Sequence, residues 1–247
     1  MSLVFSNTTT KNGIIQRIEK TLSFPDAYIS GDTTRMAQFT GEVNQGMNKA
    51  MNIILQASGK WQFDDSNQTD YPIIKTNIVS GQQDYTFTTD ETGNLILDIY
   101  RVFVFPTSTA TTYQEIWPVD QQSQYTDIGS ENPSAVGTPF SYDKTANGIF
   151  LDPKPDYNAT LGLKMMINRE SSYFLTTDTT RSPGFAGLFH EYLVLCASYE
   201  YARNKSLAIV PRLERDLAEM GEAMSKYYGR RSRDERNIIS GKYFIYE

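Results

Sequence analysis

The feature that most constrains this chain is a change in the spacing of its apolar residues, from helical to strand-like and back. In segments 14–22 and 30–59 they recur every three or four residues, the period of an amphipathic α-helix. Between Tyr71 and about Glu170 they form short runs rich in β-branched and aromatic residues, separated by polar or glycine-containing turns. Helical spacing returns after Pro183, so we expect two helices, a group of strands, two helices and a tail.

The helical segments differ in how much of their surface is apolar. The second carries one apolar stripe, formed by Met36, Phe39, Val43, Met47, Met51 and Ile54. Asp32 or Thr33 is its expected N-cap. Segment 183–205 is apolar on nearly all sides in its middle, which places it at the centre of a bundle. The last helix is expected to end at Gly229, and its stripe is Leu213, Leu217, Met220, Met224 and Tyr227.

Two glycines, Gly41 and Gly46, interrupt the second helical segment. Each weakens a helix by up to about 1 kcal/mol relative to alanine. Close approach of another helix is one reason for a glycine at such a position, although the sequence alone does not decide it.

These elements together predict an α+β fold. We expect a four-helix bundle, formed by the N- and C-terminal halves of the chain, with an inserted antiparallel all-β domain and an extended C-terminal arm. The expected boundaries are 1–70 for the first helical half, 71–170 for the β domain, 171–228 for the second helical half and 229–247 for the arm.

The stretch "WQFDDSNQTDYPI", residues 61–73, is expected to be the hinge between bundle and β domain. Its apolar anchors are Trp61 and Phe63, its turn formers include Asp64 and Asp65, and Tyr71 followed by Pro72 begins the first strand in extended geometry. A calcium loop starting at Asp65 is the competing interpretation. It fails because Asp70 stands where the glycine is needed and Thr76 where the bidentate glutamate is needed.

The sequence offers little for catalysis. His190 is the only histidine and Cys196 the only cysteine, and both lie in an apolar helical run, which favours a core histidine and a buried, inert thiol. The G-x-x-x-x-G-K-[ST] phosphate loop does not occur. We therefore expect no enzymatic activity, no metal and no cofactor.

The charge and hydropathy of the chain narrow its location. The net charge is -6, so the chain as a whole is not built to hold a phosphate backbone. Its first residues lack the pattern of a signal peptide, and no apolar run approaches the roughly 20 residues that span a bilayer. We expect a protein made in a reducing cytoplasm that does not enter a membrane.

The C-terminal tail combines a basic cluster with an aromatic, β-branched end. A disordered basic tail would not ordinarily carry so many apolar side chains, so a partner-binding arm is favoured. The residues assigned to this arm are Arg230, Arg231, Arg233, Arg236, Ile238, Ile239, Tyr243, Phe244, Ile245 and Tyr246. Arginines can grip carboxylates or phosphates through two parallel hydrogen bonds.

Three motifs together resemble the head-to-tail adaptor, or connector, proteins of tailed bacteriophages. They are "WQFDDSNQTDYPI" followed by "VSGQQDYTF", the hairpin "GTPFSYDKTANGIFLDPKP", and the helix from Pro183 to Lys205 with Phe185, Phe189 and "CASYEYA". The resemblance spans roughly Arg35 to Tyr228. In that family a Trp-aromatic segment ends a long helix and a Pro-led strand follows it.

The resemblance implies a structural virion protein located in the neck, between the capsid portal and the tail. Such a protein forms a ring with copies of itself, usually twelve, beneath the portal protein and above a downstream tail or nozzle protein. Double-stranded DNA would pass through the lumen without sequence-specific binding. Arms in this family commonly reach the portal, and the arm of this chain is expected to do the same.

An alternative is a carbohydrate-binding or adhesive tail component, in which aromatic side chains stack on sugar rings. The candidates are Trp117, Tyr113, Tyr125 and Tyr142. Core packing competes with this role for each of them.

Overall fold

The computed structural model describes residues 3–58, 73–89, 93, 95–119, 136–145 and 148–234. The chain divides into two compact units, one formed by Met1–Thr69 with Ser171–Glu247 and the other by Asp70–Glu170. Within the described ranges, no helix is both long enough and apolar enough to cross a membrane.

The first unit is helical. Its helices are α1 (Ile14–Thr21), α2 (Thr33–Ser58), α3 (Glu191–Asn204) and α4 (Val210–Asp234), with a 3-10 turn at Gly187–Phe189. The three long helices α2, α3 and α4 pack pairwise against one another around one apolar core. The core includes Phe39, Val43, Met47 and Ile54 from α2, Leu193, Val194 and Ala197 from α3, and Met224 and Tyr228 from α4.

The predicted four-helix bundle is wrong, because α1 does not act as a fourth long helix. It is 8 residues long, and its main partner is α3. Ile14, Ile15 and Ile18 bury its apolar face, and an open groove separates it from α4. Two turns of helix are too short to cover the flank of a 25-residue α4.

The N-terminus of α2 is capped as the sequence predicts. The Asp32 carboxylate accepts a hydrogen bond from the Arg35 backbone N–H at 2.9 Å, so Asp32 is the N-cap and Thr33 the first helical residue. This hydrogen bond is the main reason that the pKa of Asp32 lies below its usual value. The predicted apolar stripe of α2 is buried apart from Met51, which is partly exposed.

Two helix boundaries differ from the prediction. Helix α3 begins at Glu191 rather than near Pro183, since the Phe185 carbonyl accepts the Nε2–H of His190 instead of a helical N–H. Helix α4 does not end at Gly229 but continues to Asp234, so the first residues of the predicted extended arm are helical. Tyr228, not Tyr227, completes the buried face of α4.

The second unit holds one seven-stranded sheet. Its strands are β1 (Ile73–Ile78), β2 (Asp84–Thr86), β3 (Ile96–Val104), β4 (Gln114–Pro118), β5 (Ser141–Thr145), β6 (Gly148–Asp152) and β7 (Ala159–Arg169). The spatial order is β1-β7-β3-β4-β5-β6-β2. The predicted hairpin is present as the antiparallel pair β5–β6, although Asn147 in its turn lies outside the described residues.

The predicted antiparallel all-β domain is also wrong, because the sheet is mixed. Strands β4 and β5 run parallel, with Trp117 beside Ser141 and Pro118 beside Tyr142. A parallel pair requires a long connection that brings the chain back to the same end of the sheet. Residues 119–140 are long enough to provide that return.

The sheet must be curled, because its two edge strands are neighbours in sequence. In a flat sheet, six steps of about 4.8 Å would separate β1 from β2 by about 29 Å. Residues 79–83 join these strands, and a link of that length reaches only about 20 Å. The hydroxyl of Tyr85 in β2 accepts a hydrogen bond from the Val79 N–H at 3.0 Å, which ties the end of β1 to β2.

The inside of the curled sheet is a single apolar core to which every strand contributes. Its buried members are Ile74, Ile78, Tyr85, Ile99, Val102, Val104, Ile116, Tyr142, Ile149, Leu151, Ala159, Leu163, Met165 and Ile167. Their alternation along the strands leaves the other side chains on the outer face.

Candidate interaction surfaces of the helical unit

A groove lies between α1 and α4, with α3 and the 3-10 turn at its base, and its volume is about 1000 Å³. We call it the α1–α4 groove. Its apolar lining includes Leu188, Leu195, Ile209, Leu213, Met220 and Ala223. Leu188 stands out because 71% of its side chain is exposed, the highest fraction among the large apolar residues described. An apolar patch that is open to solvent and rimmed by polar residues is a common mark of a contact surface.

The charges around the α1–α4 groove are of both signs. Lys11, Arg17, Lys20 and Arg212 contribute the cations, and Glu191, Asp216 and Glu219 the carboxylates. Arg17 of α1 pairs with Glu191 of α3, which fixes the base of the groove. A surface of this kind can accept both hydrogen-bond donors and acceptors from a partner.

A second surface runs along α2. Of the described residues exposed on its outward face, Lys49 alone is charged, and it pairs with Glu200 of α3. We call the uncharged part of this face the amide ridge, and its members are Thr34, Ala37, Gln38, Gly41, Gln45, Asn48, Asn52 and Gln56. The contrast with α4 is large, since the exposed positions of α4 include Arg212, Glu214, Arg215, Glu219, Glu222, Lys226 and Arg230.

The charged side chains of α2 are spaced by seven residues and lie along one edge of the helix, beside the ridge. Arg35 stacks on the Tyr28 ring, 3.9 Å from its centroid. Lys49 donates to Glu200 of α3 at 2.7 Å. Glu42 lies close to this pair, and burial raises its pKa, with the Glu200 charge adding to the effect. The charges of α2 are therefore engaged within the chain.

The two surfaces lie on opposite sides of α3. Helix α2 packs on the side of α3 that carries Leu193, Cys196 and Glu200. Glu191 and Leu195 face the α1–α4 groove instead. At 3.6 residues per turn these two sets are separated by more than a third of a turn around α3. The ridge points away from α3 on one side, and the groove opens on the other.

His190 and Cys196 are buried, as the sequence predicts. Nδ1 of His190 accepts the Leu3 N–H at 2.9 Å, and its Nε2–H donates to the Phe185 carbonyl at 2.9 Å, so both nitrogens hold the fold together. Burial lowers the pKa of His190 and raises the pKa of the Cys196 thiol to about 12. Neither side chain is placed to act on a substrate.

Metal ligation finds no support in the part of the chain that the structure describes. Within those residues no group of three or more His, Cys, Asp or Glu side chains could hold an ion. The competing calcium loop starts among residues outside the described ranges.

Most of the predicted site residues lie outside the described ranges. The predicted hinge, Trp61, Phe63, Asp64, Asp65, Tyr71 and Pro72, is one such group, and the arm residues from Arg236 to Tyr246 are the other. Of the remaining arm residues, Arg230 is exposed on α4, and Arg231 and Arg233 belong to the last turns of the same helix.

Of the aromatic residues of the carbohydrate-binding alternative, the three that the structure describes differ in their environments. Tyr142 is 1% exposed in the core of the sheet. The Tyr113 ring stacks on Phe105 with centroids 4.3 Å apart, and the Lys164 ammonium lies 4.4 Å from its centre. Trp117 is exposed, and Tyr125 lies outside the described residues.

The chain matches no protein-family model and no curated protein. The two surfaces described above were not predicted from the sequence. The ridge has a sequence signal, namely the interval of seven between Arg35, Glu42 and Lys49 with no other charge in the helix. The groove has none, because it depends on how α1 packs.

Proposed function

We propose that this chain is a structural subunit of a ring in the neck of a tailed bacteriophage, where it joins the portal to the tail. The proposed family is supported by the resemblance to head-to-tail adaptors. The motifs that carry it are "WQFDDSNQTDYPI", "VSGQQDYTF" and "GTPFSYDKTANGIFLDPKP". The observation that carries its ring-forming part is the pair of unlike surfaces on opposite sides of α3.

Ring closure by identical copies imposes a geometric requirement. Each copy must offer two different complementary surfaces, so that one surface of each copy meets the other surface of the next. The outward face of α2 is convex and has one charged residue, Lys49, whereas the α1–α4 groove is concave and carries several charges of both signs. A protein that formed only two-fold dimers would need a single surface complementary to itself.

The charge of the chain is compatible with a conduit for DNA. Proteins that hold DNA neutralise its phosphates with lysine and arginine. This chain has 23 basic and 29 acidic side chains, for a net charge of -6. A ring of such copies would carry a large negative charge and would let DNA pass without binding it.

The portal-facing element of the proposal is the C-terminal segment. Its arginines would contact acidic side chains, and its isoleucines and terminal aromatics would be buried in the partner. Arg230, Arg231 and Arg233 lie in the last turns of α4, which leads directly into the rest of this segment.

The test is electron microscopy and co-sedimentation of the purified protein with portal rings of the virus that encodes it. We expect stacked rings with the full chain. Truncation after Asp234 leaves every described residue of α4 in place, and we expect the truncated protein to stay folded but to lose docking. A carbohydrate-binding protein would give no stacked rings.

A second truncation, after Gly229, separates two parts of the proposed element. If the chain ending at Asp234 docks normally and the chain ending at Gly229 does not, the helical arginines are the contact. If both truncated chains still co-sediment with portal rings, the assignment of the arm is wrong. If the full chain never stacks on portals, the proposed function is wrong.

A further inference from the structure

We propose that the amide ridge of one copy lies in the α1–α4 groove of the next copy, and that this is the lateral contact of the ring. The inference rests on the proposed function in so far as a ring requires a lateral contact. It adds the residues on each side, which neither the resemblance nor the sequence pattern assigns.

The first step of the argument concerns Gly41, an exposed residue of the ridge in the first half of α2. A Cβ built on Gly41 meets no atom within 4 Å. Its backbone is helical, so neither local packing nor backbone conformation requires glycine there. Glycine is the poorest helix former after proline. Close approach of a neighbouring copy accounts for it.

Gly46, five residues along the same helix, is the internal comparison. A Cβ built on Gly46 would stand 3.0 Å from the Cβ of Cys196, tighter than most real contacts. The packing of α2 on α3 therefore explains Gly46 and leaves Gly41 without a reason inside the chain. The difference indicates that Gly41 serves a surface outside its own chain.

The second step concerns the composition of the ridge. Interface centres are depleted in charged residues relative to the rest of a protein surface. The exposed face of α2 has one charged residue, Lys49, whereas the exposed face of α4 in the same unit has at least seven. A face with a single lysine, which already pairs with Glu200, also argues against DNA as its occupant.

The third step is the match between the two surfaces. Amide side chains both donate and accept hydrogen bonds, so they can pair with the carboxylates of Asp216 and Glu219 and with the cations of Lys20 and Arg212.

The area explains why the contact would be weak between two isolated copies. From Thr34 to Gln56 the ridge is about 33 Å long and about 10 Å wide. Its area of about 330 Å² is well below the roughly 800 Å² that each partner buries in a standard interface. Each copy makes two such contacts in a closed ring, so the ring is more stable than its first dimer. We therefore expect association in solution that depends on protein concentration.

The first experiment places a charge in the ridge. Ala37 and Ala218 are both exposed helical alanines, Ala37 in the ridge and Ala218 on α4 away from the lining of the groove. We expect Ala37→Glu to lower the association constant between copies by roughly tenfold or more, because its longer, charged side chain would separate two surfaces that must approach closely. Ala218→Glu should leave it unchanged. Sedimentation velocity over a range of concentrations measures both, and thermal melts confirm that both variants fold.

The second experiment tests the geometry directly. Gln45→Cys with Leu188→Cys puts one thiol on the ridge and one at the groove, and a bis-maleimide reagent should then give a ladder of covalent oligomers. Ala218→Cys with Leu188→Cys is the matched control and should give no ladder. The wild-type thiol should stay unreactive, because Cys196 is buried.

The outcomes separate this inference from the proposed function. Stacked rings on portals with both the wild type and Ala37→Glu, and no ladder, would overturn the ridge-and-groove contact while leaving the adaptor role intact. A ladder in solution without any stacking on portals would support the contact and contradict the adaptor role. If neither the ladder nor the stacking on portals is seen, both the ridge-and-groove contact and the adaptor role are wrong.

Discussion

At the scale of single residues, buried polar groups hold the helical unit together rather than carry out chemistry. His190 joins the N-terminal segment at Leu3 to the turn before α3 through its two ring nitrogens. Glu19, also buried, accepts the backbone N–H groups of Ile29 and Ser30 at 2.7 and 3.0 Å. Such hydrogen bonds compensate the cost of removing these groups from water.

His190 makes the stability of the protein depend on pH. Burial is the main cause of its lowered pKa, so the folded state binds a proton less readily than the unfolded state, whose value is near the ordinary 6.5. The stability is therefore fully present above pH 6.5 and decreases as the pH falls toward the folded pKa. We expect a loss of up to about 1.4 kcal/mol per pH unit in that window.

His190→Gln provides the control, because a glutamine amide does not titrate. Its free energy of unfolding should be lower than that of the wild type at pH 7.5 and should change less between pH 6.5 and pH 5. Urea unfolding at several pH values measures this. Parallel pH curves for the two proteins would contradict the assignment, since the chain contains no other histidine.

The two glycines of α2 predict opposite effects on the stability of the monomer. Gly41→Ala should raise the free energy of unfolding by up to about 1 kcal/mol, because alanine favours helix and the space is open. Gly46→Ala should lower it, since its Cβ would press against Cys196. Denaturant unfolding at a concentration too low for association distinguishes the two. A destabilising Gly41→Ala would show that the glycine has a reason inside its own chain.

At the scale of elements, the short link between β1 and β2 determines the form of the sheet. Both strands are edges of the sheet, and the Tyr85 hydroxyl spans the space between them. Tyr85 is 4% exposed, and burial raises its pKa, so its hydroxyl stays protonated throughout the physiological range.

Tyr85→Phe should destabilise the protein by about 1–2 kcal/mol, because it leaves the Val79 N–H without its acceptor. Tyr113→Phe is the matched control, since the Tyr113 hydroxyl donates to the Leu161 carbonyl at an exposed position. We expect a smaller loss there, within about 0.5 kcal/mol. Chemical denaturation measures both, and equal losses would mean that the bridge between β1 and β2 has no special role.

At the scale of the whole molecule, each compact unit has its own apolar core. The core of the second unit draws on all seven strands, and its chain is continuous from Asp70 to Glu170. The first unit is built from both ends of the chain. Folding of the first unit therefore depends on contacts between distant residues, whereas the second can form from one segment.

Residues 70–170 expressed alone should consequently fold. We expect dispersed amide resonances in an NMR spectrum and a single cooperative melting transition, because a core of this size is sufficient for a domain of about 100 residues. The fluorescence maximum of Trp117 should show that its side chain is still exposed to water. A spectrum without dispersion would show that the second unit needs the rest of the chain.

Only some features of the candidate surfaces and of the predicted site residues could be predicted from the sequence. The predicted burial of His190 and Cys196 is confirmed, because a polar or reactive residue in a helix apolar on most sides has few other places to go. The groove could not be predicted, since it exists only where α1 fails to cover α4. The predicted hinge and most of the arm lie outside the described residues and stay predictions.

The sequence by itself determined which segments are helices and which are strands, and which face of α2 is buried. That information is local, because helical and strand periods are read from residues two to four apart. Only the tertiary structure decided that β4 and β5 are parallel, that the sheet curls, and that α1 stays short of α4. Those features depend on chain closure between distant residues, which no local period encodes.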